Sequence, residues 1–215
     1  MRTSAHDVRP AGATVPDAAG GPGIAPGATV AWERLSDEIR TCRKCALHAT
    51  RTQAVVYRGS LAPSIVFVGE APGAAEDRAG IPFVGRSGRT LDAAIARLAL
   101  AETEYGVLNV LKCRPPGNRF DREAAATCRP YLERQLALLS PRVLVTLGSP
   151  ALHALDPGAP PMLAAAGRVR ADRKIPLFPL IHPAAAMRSR RLAARWSADL
   201  ARLADWLGSG SAQLV

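Results

Sequence analysis

Apolar positions along this chain follow two periods. Ser64–Val68, Gly106–Leu111, Arg142–Leu147 and Ile175–Ile181 are short, mostly aliphatic runs bounded by turn formers or charged residues. Runs of that length and composition predict strands buried on both faces. Between them, apolar residues recur every three to four positions. Ser87–Leu100 puts Leu91, Ile95 and Leu98 on one stripe; Arg122–Leu139 is a second long helical pattern and Pro150–Leu155 a short one. Ala31–Arg40 carries Trp32, Leu35 and Ile39 on one face, and Ala185–Leu207 spaces Trp196, Leu200, Leu203 and Leu207 for burial. Val55–Arg58 is a candidate edge strand. Strands alternating with helices predict an α/β fold, a mostly parallel sheet sandwiched by helices.

The flanks break both periods. Residues 1–28 are alanine, glycine and proline with scattered polar groups, which reads as a disordered leader. Residues 29–207 then form one domain with a full-sized core, and residues 208–215 a flexible tail. No apolar run reaches the length of a membrane span, and no basic-then-apolar signal opens the chain. A cytoplasmic monomer with no membrane partner is therefore expected.

Charge narrows the class of partner. The formal net charge is +10 and the pI near 10.5, almost all of it arginine, with lysine only at 44, 112 and 174. A polyanion is the simplest partner for such a chain, and arginine suits bidentate phosphate contacts. A GC-rich genome produces the same bias, so composition supports this reading without carrying it.

Candidate chemistry gathers at strand ends. Gly69-Glu70-Ala71-Pro72-Gly73 follows the first strand signal directly, so Glu70 stands where strand becomes loop. In open parallel sheets ligands bind at that edge. Ile181-His182-Pro183 ends the last strand signal and brings His182 to the same edge, ahead of a helix that begins over residues 185–188 and whose N-terminal amides can hold a phosphate. Asn109 lies inside the second strand, where a buried amide needs a partner; a base edge is one. Cys42 and Cys45 form a C-x2-C pair, and Cys113 and Cys128 follow, with fourteen residues between them. In a reducing compartment four such thiols fit tetrahedral zinc or a [4Fe–4S] cluster, against the blander reading of four structural thiols. Arg43, Lys44, Arg114 and Arg129 flank them and offset thiolate charge.

Four motifs in order with these cysteines resemble the family 4 uracil-DNA glycosylases, the iron–sulfur branch. They are GEAPG (69–73), ED-x-x-G-x-PFVG (76–85), N-x-x-KCRPPxNR (109–119) and HPAxxxR (182–188). The resemblance runs from about Cys42 to Trp206. It implies a three-layer α/β/α sandwich around a short parallel sheet, and hydrolysis of the N-glycosidic bond of deoxyuridine in single- or double-stranded DNA. It also implies a [4Fe–4S] cluster on Cys42, Cys45, Cys113 and Cys128. Glu70, Glu76 and Asp77 match the family's acidic positions near the attacking water, with roles left unranked. Phe83 would stack on the flipped base, Asn109 would read the uracil edge, and His182 would meet uracil O2. Arg188 and amides of the Ala71–Gly73 loop would hold the DNA.

The chain also departs from the pattern. Ala74 and Ala75 stand where acids are common, and Ala186 where a larger apolar wedge is common, leaving Met187 for that task. No arginine-rich insertion follows Lys112; that insertion marks the related branch that traps uracil-DNA, so its absence favours turnover. Two other readings compete with the repair enzyme. One is a uracil-DNA binding protein with little or no turnover; the other is a metal-stapled module that binds DNA nonspecifically. The second leaves Glu70, Asn109 and His182 at strand ends unexplained.

Overall fold

The computed structural model describes residues 26–210. Residues 1–25 of the expected leader and 211–215 of the expected tail lie outside the described residues. Helix α1 spans Pro26–Arg40, reaching into the expected leader. It is followed by β1 (Arg58–Gly59), β2 (Ile65–Gly69), α2 (Ala74–Ala79), α3 (Arg86–Arg97) and β3 (Tyr105–Asn109). The chain continues through α4 (Arg122–Leu139), β4 (Val143–Leu147), α5 (Ser149–Leu155) and α6 (Met162–Ala165). It closes with β5 (Leu177–Leu180), α7 (Pro183–Ala186) and α8 (Arg190–Gly208).

The sheet order is β1-β3-β2-β4-β5, parallel except for β1, which pairs antiparallel with β3 at the edge. Alternate residues of each central strand serve opposite layers. Phe67, Val107 and Val145 face α3 and α8, meeting Leu91, Ile95, Trp196, Leu200 and Leu203. Val66, Val68, Leu108 and Leu144 face α1, α4 and α5, meeting Trp32, Leu132, Leu136 and Ala151. Both faces are thus covered, which is why β2 is apolar throughout and β4 is apolar except for the buried Thr146. The result is the expected three-layer α/β/α sandwich. A third core, with Leu35, Ile39, Leu47, Leu111 and Tyr131, packs the segment after α1 against α4.

Two buried carboxylates secure the outer layer. Asp156 pairs with Arg170 and Arg173, and Asp199 with Arg195 and Arg202. The C-terminal region differs from the single helix expected over 185–207. The chain leaves α7 at Met187, and Ser189 starts α8 afresh by accepting from the Leu192 amide at 3.2 Å. A serine hydroxyl in that position satisfies an amide that the helix itself leaves bare. The four-residue α7 thus replaces the phosphate-holding helix start expected after His182. Among the described residues no helix is long and apolar enough to cross a membrane.

Candidate active site

Strand register brings the expected site residues to one edge. Gly69, the last residue of β2, lies opposite Asn109, the last of β3, and Leu147 of β4 lies opposite Leu180 of β5. Glu70, Val110, Gly148 and His182 therefore all emerge at the carboxyl end of the sheet. Two backbone bonds continue the ladder past the strands, Val110 N–H to Gly69 O at 2.9 Å and Leu111 N–H to Glu70 O at 3.0 Å.

Gly69 makes room for the pocket. A Cβ there would stand 2.5 Å from the Phe83 ring and closer still to Asn109 Oδ1. Phe83 is buried at a positive φ of 56°, a backbone state that costs a bulky residue about 1–3 kcal/mol and that packing must enforce. Gly88 allows it, because a Cβ at that position would collide with the Phe83 carbonyl. The Phe83 and His182 rings lie 6.0 Å apart, tilted by 31°. Asn109 is 1% exposed, and its Oδ1 has no hydrogen-bond partner. An orphaned buried carbonyl is costly, and this one lies on the same side of Gly69 as the Phe83 ring.

The state of His182 follows from its surroundings. The Ala184 N–H donates to His182 Nδ1 at 3.1 Å. Nδ1 is therefore the acceptor, and the proton of the neutral ring sits on Nε2. Burial, helped by the positive charge of Arg188, holds the ring pKa down at about 4. At neutral pH His182 is an uncharged Nε2–H donor. Gly148, at φ +90°, supports it: a Cβ there would meet His182 Cβ at 3.0 Å.

The three acids separate by environment. Glu70 is half-buried with no hydrogen-bond partner for its carboxylate among the described residues, and burial pushes its pKa up. Glu76 instead spends both oxygens on backbone. Oε2 accepts from Gly73 N–H at 3.1 Å and Oε1 from Gly85 N–H at 2.7 Å, tying the GEAPG loop to the PFVG loop. Asp77 accepts from the Thr52 amide and hydroxyl at 2.9 and 2.8 Å, anchoring the segment after α1. Glu76 and Asp77, expected near the attacking water, each brace a neighbouring segment through both carboxylate oxygens. Ala71 packs half-buried against the third core, and Gly73 is the N-cap of α2. Arg188 is exposed between α7 and α8.

All four cysteines line a single narrow recess, partly open to solvent. Cys42 follows α1, Cys45 precedes a 3-10 turn, Cys113 follows β3 and Cys128 lies in α4. Burial pushes the Cys113 and Cys128 thiols up, while Arg51 lowers the first and the Lys112 amide lowers the second. Arg51 Nη1 lies 2.9 Å from Cys113 Sγ. Sixty-two residues separate that pair, so no local pattern could have revealed it. Lys112 is fully buried, and desolvation lowers its pKa to about 8. Its Nζ donates to the Asn109 carbonyl, linking the cysteine recess to the pocket. Among the described residues no three His, Cys, Asp or Glu side chains stand close enough together to hold a single metal ion.

With this geometry in place, comparison with known proteins defines the class. Residues 56–204 match the family model of the uracil DNA glycosylase superfamily, and the chain belongs to that superfamily. Within it, the chain is 38% identical over 178 residues to the type-4 uracil-DNA glycosylase of Pyrobaculum aerophilum, covering 79% of this chain and 91% of that protein. It is 37% identical over 188 residues to the type-4 uracil-DNA glycosylase of Archaeoglobus fulgidus, covering 82% and 94%. The Thermotoga maritima protein of the same name is 42% identical over 121 residues, covering 56% and 63%.

Proposed function

We propose that this protein is a monofunctional uracil-DNA glycosylase that hydrolyses the N-glycosidic bond of deoxyuridine in DNA, releasing uracil and leaving an abasic site. The observation that carries the reading is the orphaned Asn109 Oδ1, buried near Phe83, whose ring lies 6.0 Å from that of His182. Uracil offers a donor at N3 and an acceptor at O4, which an asparagine amide matches with Oδ1 and Nδ2. Cytosine offers the reverse pattern and would leave the buried carbonyl facing an acceptor. Extruding the nucleotide costs roughly a few kcal/mol, offset by stacking on Phe83 and by this pairing.

Cleavage sends the C1′–N1 bonding pair onto the uracil ring, where charge develops at O2. The His182 Nε2–H is preorganised to donate there. It needs no proton from solvent, because the ring is already neutral with Nδ1 engaged. Such a donor is worth about 3–4 kcal/mol in transition states of this kind. Positive charge develops on the sugar, and Glu70, the acid left without a partner, is the group to stabilise it and orient the attacking water. Glu76 and Asp77 hold the loops that frame this chemistry. Ala186 is buried, whereas Met187 is 43% exposed, so Met187 is the residue available to wedge into the base stack. Arg188 beside it meets the phosphate backbone.

The cysteine recess fits a [4Fe–4S] cluster held by Cys42, Cys45, Cys113 and Cys128. The four thiols share one recess, and cationic Arg51 and Lys112 are there to offset thiolate charge. When bound, the cluster supplies thiolate–iron crosslinks that join the segment after α1 to the loop after β3. Lys112 carries that restraint to Asn109.

A labelled oligonucleotide with one deoxyuridine, run single-stranded and opposite G or A, tests the activity. Alkali-sensitive product supports it. Tight uracil-dependent binding without product would replace it with the binding-protein reading.

A further inference from the structure

A second concavity opens at the same sheet edge, on the α4–α5 side. It has a volume of about 520 Å³ and is lined by Val110, Phe120, Arg122, Arg129, Leu132 and His153 among others, with no carboxylate in the lining. The volume lies within the range of small-ligand sites, roughly 300–1,000 Å³. Its floor is core: Val110 and Leu132 are each 1% exposed. Its rim is cationic. Arg122 is exposed with no ion pair among the described residues, and Arg129 pairs only with Glu133 at a half-exposed surface. His153 Nδ1 lies 2.9 Å from the Ser149 carbonyl, which can only accept. The groove adjoins the pocket through the chain itself. Val110 follows Asn109, and Ser149 follows Gly148, the residue packed against His182.

An apolar floor with an aromatic edge, a cationic rim and no acid is the chemistry of a nucleotide. We propose that this groove is a second nucleotide subsite, which seats one unpaired base of the DNA strand flanking the excised position. The base lies on Val110, Phe120 and Leu132, and its phosphate meets Arg122 and Arg129. The subsite rests on the reading of DNA as substrate. It makes unpaired DNA bind more tightly than the pocket and the general charge of +10 account for. Seating one base contributes roughly 5- to 100-fold in affinity.

The test uses the full chain and single-stranded oligonucleotides centred on 2′-fluoro-deoxyuridine, whose fluorine resists loss of the base. Nucleotides are added one at a time to the 5′ or the 3′ flank, and binding is read by fluorescence anisotropy. Affinity is expected to jump at one added nucleotide on one flank, and an abasic spacer at that step should abolish the jump. Arg122→Ala and Ala126→Glu, both at exposed positions, should also abolish it while leaving melting temperature and excision from the shortest deoxyuridine oligonucleotide unchanged. A smooth rise on both flanks, unaffected by abasic spacers, would overturn the base seat in favour of a plain phosphate rail. An equal loss in the variants at every length would overturn it too. Competition by polyglutamate as strong as by oligothymidylate at equal charge would assign the groove to an acidic protein. Should no oligonucleotide be excised, the proposed activity fails separately, because the affinity jump is read without turnover.

Discussion

Glu76→Gln separates bracing from chemistry at the residue where the two readings diverge. The carboxylate is 9% exposed and uses both oxygens, toward Gly85 N–H at 2.7 Å and Gly73 N–H at 3.1 Å. Glutamine keeps one acceptor and turns an NH2 group toward the other amide. One charge-assisted bond is lost and one amide is left facing a donor, a cost of about 2–3 kcal/mol. For a domain of this size each kcal/mol lowers the melting temperature by about 2–4 °C, so a fall of about 5–10 °C is expected. His182 and Asn109 remain, so excision persists with KM raised more than kcat falls, as the Gly73 and Gly85 loops loosen around the substrate. Thermal unfolding followed by circular dichroism, with steady-state excision at several substrate concentrations, reads both. An unchanged melting temperature with kcat reduced a thousandfold would refute the brace and make Glu76 a chemical participant.

Further perturbations probe the rest of the site. Because His182 has a folded pKa near 4 against about 6.5 when unfolded, its contribution is complete above pH 6.5. It is lost as pH falls toward 4, by up to about 3 kcal/mol. Denaturant titrations should therefore show His182→Gln with a shallower loss of stability than wild type across that window; parallel curves would contradict the buried neutral ring. Gly69→Ala places a methyl against Phe83 and Asn109, so it should fold at a cost of about 1–3 kcal/mol and lose uracil-dependent binding. Normal binding by that variant would mean the pocket lies elsewhere. Cys42→Ser should lower visible absorbance and folded yield together, and a stable, colourless, active variant would refute a structural cluster.

The layers were legible in the chain because β2 and β4 are buried on both faces and so are apolar at every position but Thr146. Glycine and proline follow the ends of β2, β4 and β5, which places Glu70 and His182 at one edge from the sequence alone. Short elements held by tertiary contacts were not legible. Helix α2 owes its start to Glu76 reaching back to Gly73, and β1, paired to Val107 and Gly106 at Arg58–Gly59, keeps only the last residue of the edge strand expected over Val55–Arg58. The break between α7 and α8 is hidden because the apolar period runs through Met187 while Ser189 restarts the helix. The roles of Glu76, Asp77 and Arg51 depend on partners met only after folding: a second loop for Glu76, Thr52 for Asp77 and Cys113 for Arg51. The motifs identified those acids as important without revealing that two of them hold backbone.

The most direct test of the account is the single-turnover rate of free uracil release from a deoxyuridine oligonucleotide, wild type against His182→Ala, both showing full visible absorbance. The account predicts release by wild type and a loss of about 10²–10³-fold in the variant, with substrate binding largely retained. Equal rates in the two proteins would contradict it, because the neutral Nε2–H donor would then have no part in stabilising the leaving uracil.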